Sequence, residues 1–79
     1  MIHELKILPE HFWPVVHDDK KAEVRLNDRG FKTDDFLRLS EWTPNGGYTG
    51  KVVVRIVTHV ADLSSWKENY VLLSMRKLS

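Results

Sequence analysis

Residues 2–8, "IHELKIL", set Ile2, Leu5 and Leu8 among polar neighbours in a rough alternation, with Ile7 adjoining. That rhythm predicts a short strand, or a strand carrying a bulge. "PEHFWPVVHDDKK" follows another period. Pro9 and Glu10 suit the first turn of a helix, and Phe12, Val15 and Val16 share one apolar face. Pro14 removes a backbone donor inside this segment. The helix must therefore be short, with Pro14 in its first turn or at a kink.

Period two returns in "KAEVRLN", where Ala22, Val24 and Leu26 alternate with Lys21, Glu23 and Arg25. Side chains two apart share a face, so the apolar set is expected in the core and the charged set outside. "NDRG" predicts a turn, "FKTDD" an irregular link and "FLRLSEW" a strand. "TPNGGYTG", with Pro44, Gly46, Gly47 and Gly50, predicts a loop. "KVVVRIVTHVADL" is the longest β-rich run and reads as a core strand with Arg55 on its outer face. "NYVLLSMRKL" closes the chain as a strand, and Ser64 or Ser65 before Trp66 suits one capped helical turn. The order predicts one α+β domain over residues 1–79, with about five strands and one short helix after the first strand. An open sheet would expose its edges, so closure into a small mixed β-barrel is expected.

Composition narrows the function classes. The 79 residues allow one small core, at 42% hydrophobic, and 29% charged residues of both signs suit a solvated surface. There is no cysteine, which excludes disulfides, thiolate zinc sites and a cysteine nucleophile. No apolar run approaches the ~18 residues of a membrane span. The opening "MIHELKILPE" lacks a signal peptide's basic and apolar regions, so a cytoplasmic location is expected. A net charge of +1 argues against broad duplex binding through many phosphates. His3, His11, His17 and His59 show no metal-ligand spacing, so neither a metal nor a cofactor is expected.

The charged stretch "KKAEVRLNDRGF" admits two readings. It is a solvated strand face whose charges interact weakly, or it presents a row of charges to a ligand. In the second reading Glu23 holds two cations in place. Arg25 forks onto a phosphate or stacks under a base, and Lys20 acts as a point charge or as a base. Asn27 and Asp28 are natural turn formers, and Arg29 is a loop cation. Tyr48 and Thr49 offer a stacking ring and a hydroxyl between Gly47 and Gly50. Trp42 suits the core or the barrel rim.

"DDKKAEVR" resembles the hallmark of the ASCH domains, which have a PUA-like β-barrel. Lys20, Glu23 and Arg25 match that hallmark, and Asp18 stands where those domains have glycine. "HELKILPEHF", "KKAEVRLNDRGF", "LRLSEW", "GYTG" and "YVLLSM" together resemble a small ASCH-like family of bacterial and phage proteins. Asp34 again replaces a glycine of that pattern. The resemblance implies an RNA- or nucleotide-binding module, with RNA or a modified nucleotide as partner. The binding residues would be Lys20, Glu23, Arg25, Asn27, Arg29, Trp42, Tyr48 and Thr49. It also implies an alternative, a small amidohydrolase or ribonuclease using Lys20 and Glu23. Against that alternative, Glu23 stands where acetylcytidine amidohydrolases have a threonine, and only Thr33 or Thr49 offers a substitute. A protein-interaction domain is the third expectation.

Overall fold

Where the alternation is strongest the chain forms strands, and these assemble into one curled, half-barrel sheet in the computed structural model, which describes residues 1–78. The elements are β1 (Ile2–Ile7), α1 (Pro9–Val16), β2 (Ala22–Leu26), β3 (Phe36–Thr43), β4 (Gly47–Asp62) and β5 (Tyr70–Arg76). The strand order is β1-β3-β4-β5-β2. β1 runs parallel to β3, and the other neighbours are antiparallel. The expected α+β class, strand number and helix position hold. Full closure does not, because β1 and β2 remain as edges with no backbone ladder between them.

The inner face carries Leu5 and Ile7 of β1, Leu37 and Leu39 of β3, Val57 of β4, and Leu73 and Met75 of β5. Helix α1 lays Phe12 and Val15 against them. Pro14 sits inside the helix, beyond its first turn. The Pro14 carbonyl accepts the N–H groups of Asp19 and Lys20, at 2.9 and 3.0 Å, where the chain leaves the helix. Asp18 turns that corner with φ 65°. Asp34 lies at φ 76°, so both aspartates adopt the left-handed backbone that glycine favours.

Four local expectations are corrected. First, the faces of β2 are reversed: Glu23 is 8% exposed, whereas Val24 and Leu26 are 46% and 45% exposed. Register explains this, since Glu23 stands opposite Leu73 and Arg25 opposite Val71, both on the inner face. Second, Arg55 is buried. Its Nη2 donates to the Val15 carbonyl at 2.9 Å, at the C-terminal end of α1, where the same carbonyl also accepts the Asp18 N–H at 3.0 Å. Third, "GYTG" belongs to β4, and the hairpin turn is confined to Pro44–Gly46. Thr43 Oγ1 accepts the Gly46 N–H at 2.9 Å and tightens that turn. Fourth, residues 64–66 form turns rather than a serine-capped helix, and Asp62 supplies the cap by accepting from the Ser64 N–H and hydroxyl, each at 2.9 Å.

A buried polar pair fixes the entry to β3. His3 Nε2 donates to Asp35 Oδ2 at 2.8 Å, and the His3 ring meets Phe31 edge-on with centroids 4.7 Å apart. The Asp35 carboxylate also accepts the Lys32 N–H at 3.0 Å. The hydrogen bond from His3, above all, holds the Asp35 carboxyl below its ordinary value of 3.8, against the opposing effect of burial.

Candidate functional site

The gap between the edges β1 and β2 is a cleft of about 570 Å³. It forms because an antiparallel partner for β2 is available only on the β5 side. Its walls include Lys6, His11, Lys20, Glu23, Arg25 and Tyr70. The inward parity of Glu23 and Arg25 aims both side chains at this gap rather than at open solvent.

Glu23 organises the charges. Its Oε1 lies 3.3 Å from Lys20 Nζ and its Oε2 lies 2.8 Å from Arg25 Nη2. Arg25 Nε donates to the same Oε2 at 3.0 Å. Arg25 Nη2 also donates to the Lys6 carbonyl at 2.9 Å, so one guanidinium spans the two edges. Lys20 is positioned from behind by its backbone bond to Pro14 at the end of α1. The cleft thus holds an ammonium and a guanidinium against one carboxylate. The Lys6 ammonium is turned away and lies 4.2 Å from the Trp42 ring centroid.

Lys20, Glu23 and Arg25 therefore stand together, whereas the other sequence candidates are dispersed. Asn27 closes its turn, accepting the Phe31 N–H on Oδ1 at 3.1 Å. Arg29 is exposed and lies 3.8 Å from Asp28. Trp42 stands opposite Tyr48 in the β3–β4 register, and Tyr48 is 65% exposed. Tyr48 lines a separate depression of about 390 Å³ with Glu4, Arg38 and Lys51. Thr49 donates its hydroxyl to the buried Glu41 at 2.7 Å, away from Lys20. The cleft's chemistry also includes His11 and Tyr70, which the strand reading missed. His11, on α1 directly after the edge strand β1, lines the same cleft as Lys20 because the curl of the sheet brings the β1 edge across from β2.

The arrangement can receive an anion on the ammonium and guanidinium, with the Tyr70 ring beside them. Among the described residues, no group of three or more histidine or acidic side chains is placed to hold a metal. No helix of the described residues is long and apolar enough to cross a membrane.

The family described as "Domain of unknown function (DUF3850)" matches residues 2–75. An uncharacterised 12.9 kDa protein in the GpA 3' region of Escherichia phage P2 is 44% identical over 72 residues. That match takes in 91% of this chain and 65% of the phage protein, so the chain spans slightly under two thirds of its relative's length.

Proposed function

We propose that this chain, which belongs to the DUF3850 family, is a binding module for RNA or a modified nucleotide. The observation that carries the reading is the seam cleft, where a buried carboxylate holds Lys20 and Arg25 beside Tyr70. Glu23 fixes the two cations without neutralising both. Arg25 Nη1 makes no hydrogen bond among the described residues, so a donor of the fork remains for a phosphate oxygen. The half-barrel shape and the Lys20-Glu23-Arg25 spacing support placing the chain with the ASCH domains and their PUA-like barrel. A nucleotide or RNA ligand suits a cytoplasmic protein.

Binding is favoured over amidohydrolysis because neither Thr33 nor Thr49, which could replace the missing hydroxyl, lines the cleft. The test is an NMR titration of labelled protein with short single-stranded RNA, matched DNA and free nucleotides, followed by an assay of the same ligands for turnover. Shifts at Lys20, Glu23, Arg25 and Tyr70 without turnover support the module. Turnover abolished by Lys20→Ala would replace it with a hydrolase. A silent cleft would remove both and direct attention to a protein partner.

A further inference from the structure

Tyr70 is a shared wall. One side of it lines the seam cleft, and it also lines a neighbouring depression of about 380 Å³. That second depression contains Asn27, Asn69, Ser64 and Asp62, with no cation among its lining residues. Amides, a hydroxyl and a carboxylate suit the edges of a base or a ribose, and the carboxylate opposes a phosphate. The phosphate-attracting groups, Lys20 and Arg25, lie on the other side of Tyr70.

The turn after β4 adds two more groups. Trp66 is 70% exposed and meets Tyr70 edge-on, with ring centroids 6.4 Å apart at 84°. Backbone bonds from Trp66 and Lys67 to the Leu63 carbonyl, at 2.9 and 2.8 Å, fix the turn that presents them. Lys67 Nζ stands 4.8 Å from the Tyr70 ring centroid, outside the cleft. The core makes little use of Trp66, since most of its ring is in water. Around Tyr70 the surface thus carries the cleft's cations on one side and a polar hollow on another, with Trp66 and Lys67 against the ring itself. A polynucleotide offers phosphate, sugar and base to such a mixed surface.

We propose that the ligand is a single-stranded oligonucleotide, running from the cations of the cleft across Tyr70 onto Trp66 and Lys67. This rests on the nucleic-acid reading of the cleft and extends it. A mononucleotide would fill the cleft and leave Trp66 and Lys67 unused.

The experiment compares equilibrium binding of a nucleoside monophosphate with that of RNA and DNA single strands of about six nucleotides. Parent protein, Trp66→Ala, Trp66→Phe and Lys67→Ala are titrated side by side. Trp66 and Lys67 are exposed, so these variants should fold, and circular dichroism checks it. The oligonucleotide should bind more tightly than the monophosphate by about 5- to 150-fold, the range for one added base stack. Trp66→Ala should abolish most of that gain and leave monophosphate binding unchanged, while Trp66→Phe keeps most of it. Monophosphate binding with no gain for the oligonucleotide, or a gain indifferent to Trp66→Ala, would overturn the extended track and leave the cleft reading intact. Absence of binding by every nucleotide ligand would overturn both.

Discussion

Removal of the Arg25 guanidinium should destabilise the fold more than a surface charge would. Arg25 makes two contacts to Glu23 and one to the Lys6 carbonyl, all between 2.8 and 3.0 Å. Hydrogen bonds to charged groups contribute about 1.5–3 kcal/mol each when shielded. Arg25 and Glu23 side chains are 23% and 10% exposed, so solvent screens part of this. Glu23 also keeps Lys20 at 3.3 Å after the change, so it is not left as an unpaired buried charge. These considerations place Arg25→Ala at about 2 kcal/mol, a large share of the ~4–10 kcal/mol expected for a chain of this length. With a urea slope of about 1 kcal/mol per molar, the midpoint should fall by roughly 2 M. Arg25→Lys should recover less than half, because an ammonium cannot fork between Glu23 and the Lys6 carbonyl. A double-mutant cycle with Glu23→Gln should return a coupling of about 1 kcal/mol. A loss of under about 0.5 kcal/mol on Arg25→Ala, the range for solvated surface positions, would refute a latch across the seam.

Other expectations follow from the buried pair, the turns and the cleft. His3→Ala should cost about 2 kcal/mol by leaving Asp35 without its side-chain partner. Because the Asp35 carboxyl is held below 3.8 in the fold, its contribution is complete above that value and is lost as pH falls through the lowered one. Urea melts between neutral and acid pH should therefore show a weaker acid dependence in His3→Ala than in the parent, and parallel curves would contradict the pairing. Asp34→Gly should raise stability by about 0.5–1 kcal/mol, seen as a higher Tm, because φ 76° costs aspartate more than glycine. An unchanged or lower Tm would mean that the aspartate side chain contributes more than its backbone strain. If oligonucleotides bind through Lys20, Arg25 and Lys67, log affinity against log salt should slope at about −1 to −3, and a much steeper line would require phosphate contacts beyond this surface.

Legibility in the sequence tracked how local the determining physics was. Alternation located β1, β2, β3 and β5 within a residue or two of their observed bounds, and Pro9 marked the start of α1, whose end at Val16 the sequence did not fix. Which face of β2 turned inward was not local. It depends on pairing with β5, and the rule that charges face out fails where an edge strand borders a polar gap. Arg55 misled for a related reason: its buried guanidinium bonds the Val15 carbonyl, at the end of a helix far away in the sequence. In β4 the register shift between Val57 and His59 changes the parity of inward residues, so Val57 and Val60 both pack on the core side. No reading of "VVVRIVTHV" by alternation alone finds such a bulge. The Lys20-Glu23-Arg25 grouping was legible from spacing, but His11 and Tyr70 needed the strand order. Tyr48 and Thr49 were grouped with that site through the resemblance, and the β3–β4 hairpin carries them elsewhere.

The strand order has one more consequence. Both margins of the sheet come from the first third of the chain, yet three other strands are laid between them. Residues 2–26 contain most of the cleft's walls but cannot form it as a peptide, because β1 and β2 never pair with each other. Their spacing is set by the width and curl of a sheet made from the remaining residues. The last ladder to form, wherever it lies, completes the cleft. Access to the Lys20-Glu23-Arg25 group is thus a readout of the whole sheet's assembly, and a fragment that keeps every cleft residue but loses β4 keeps no cleft.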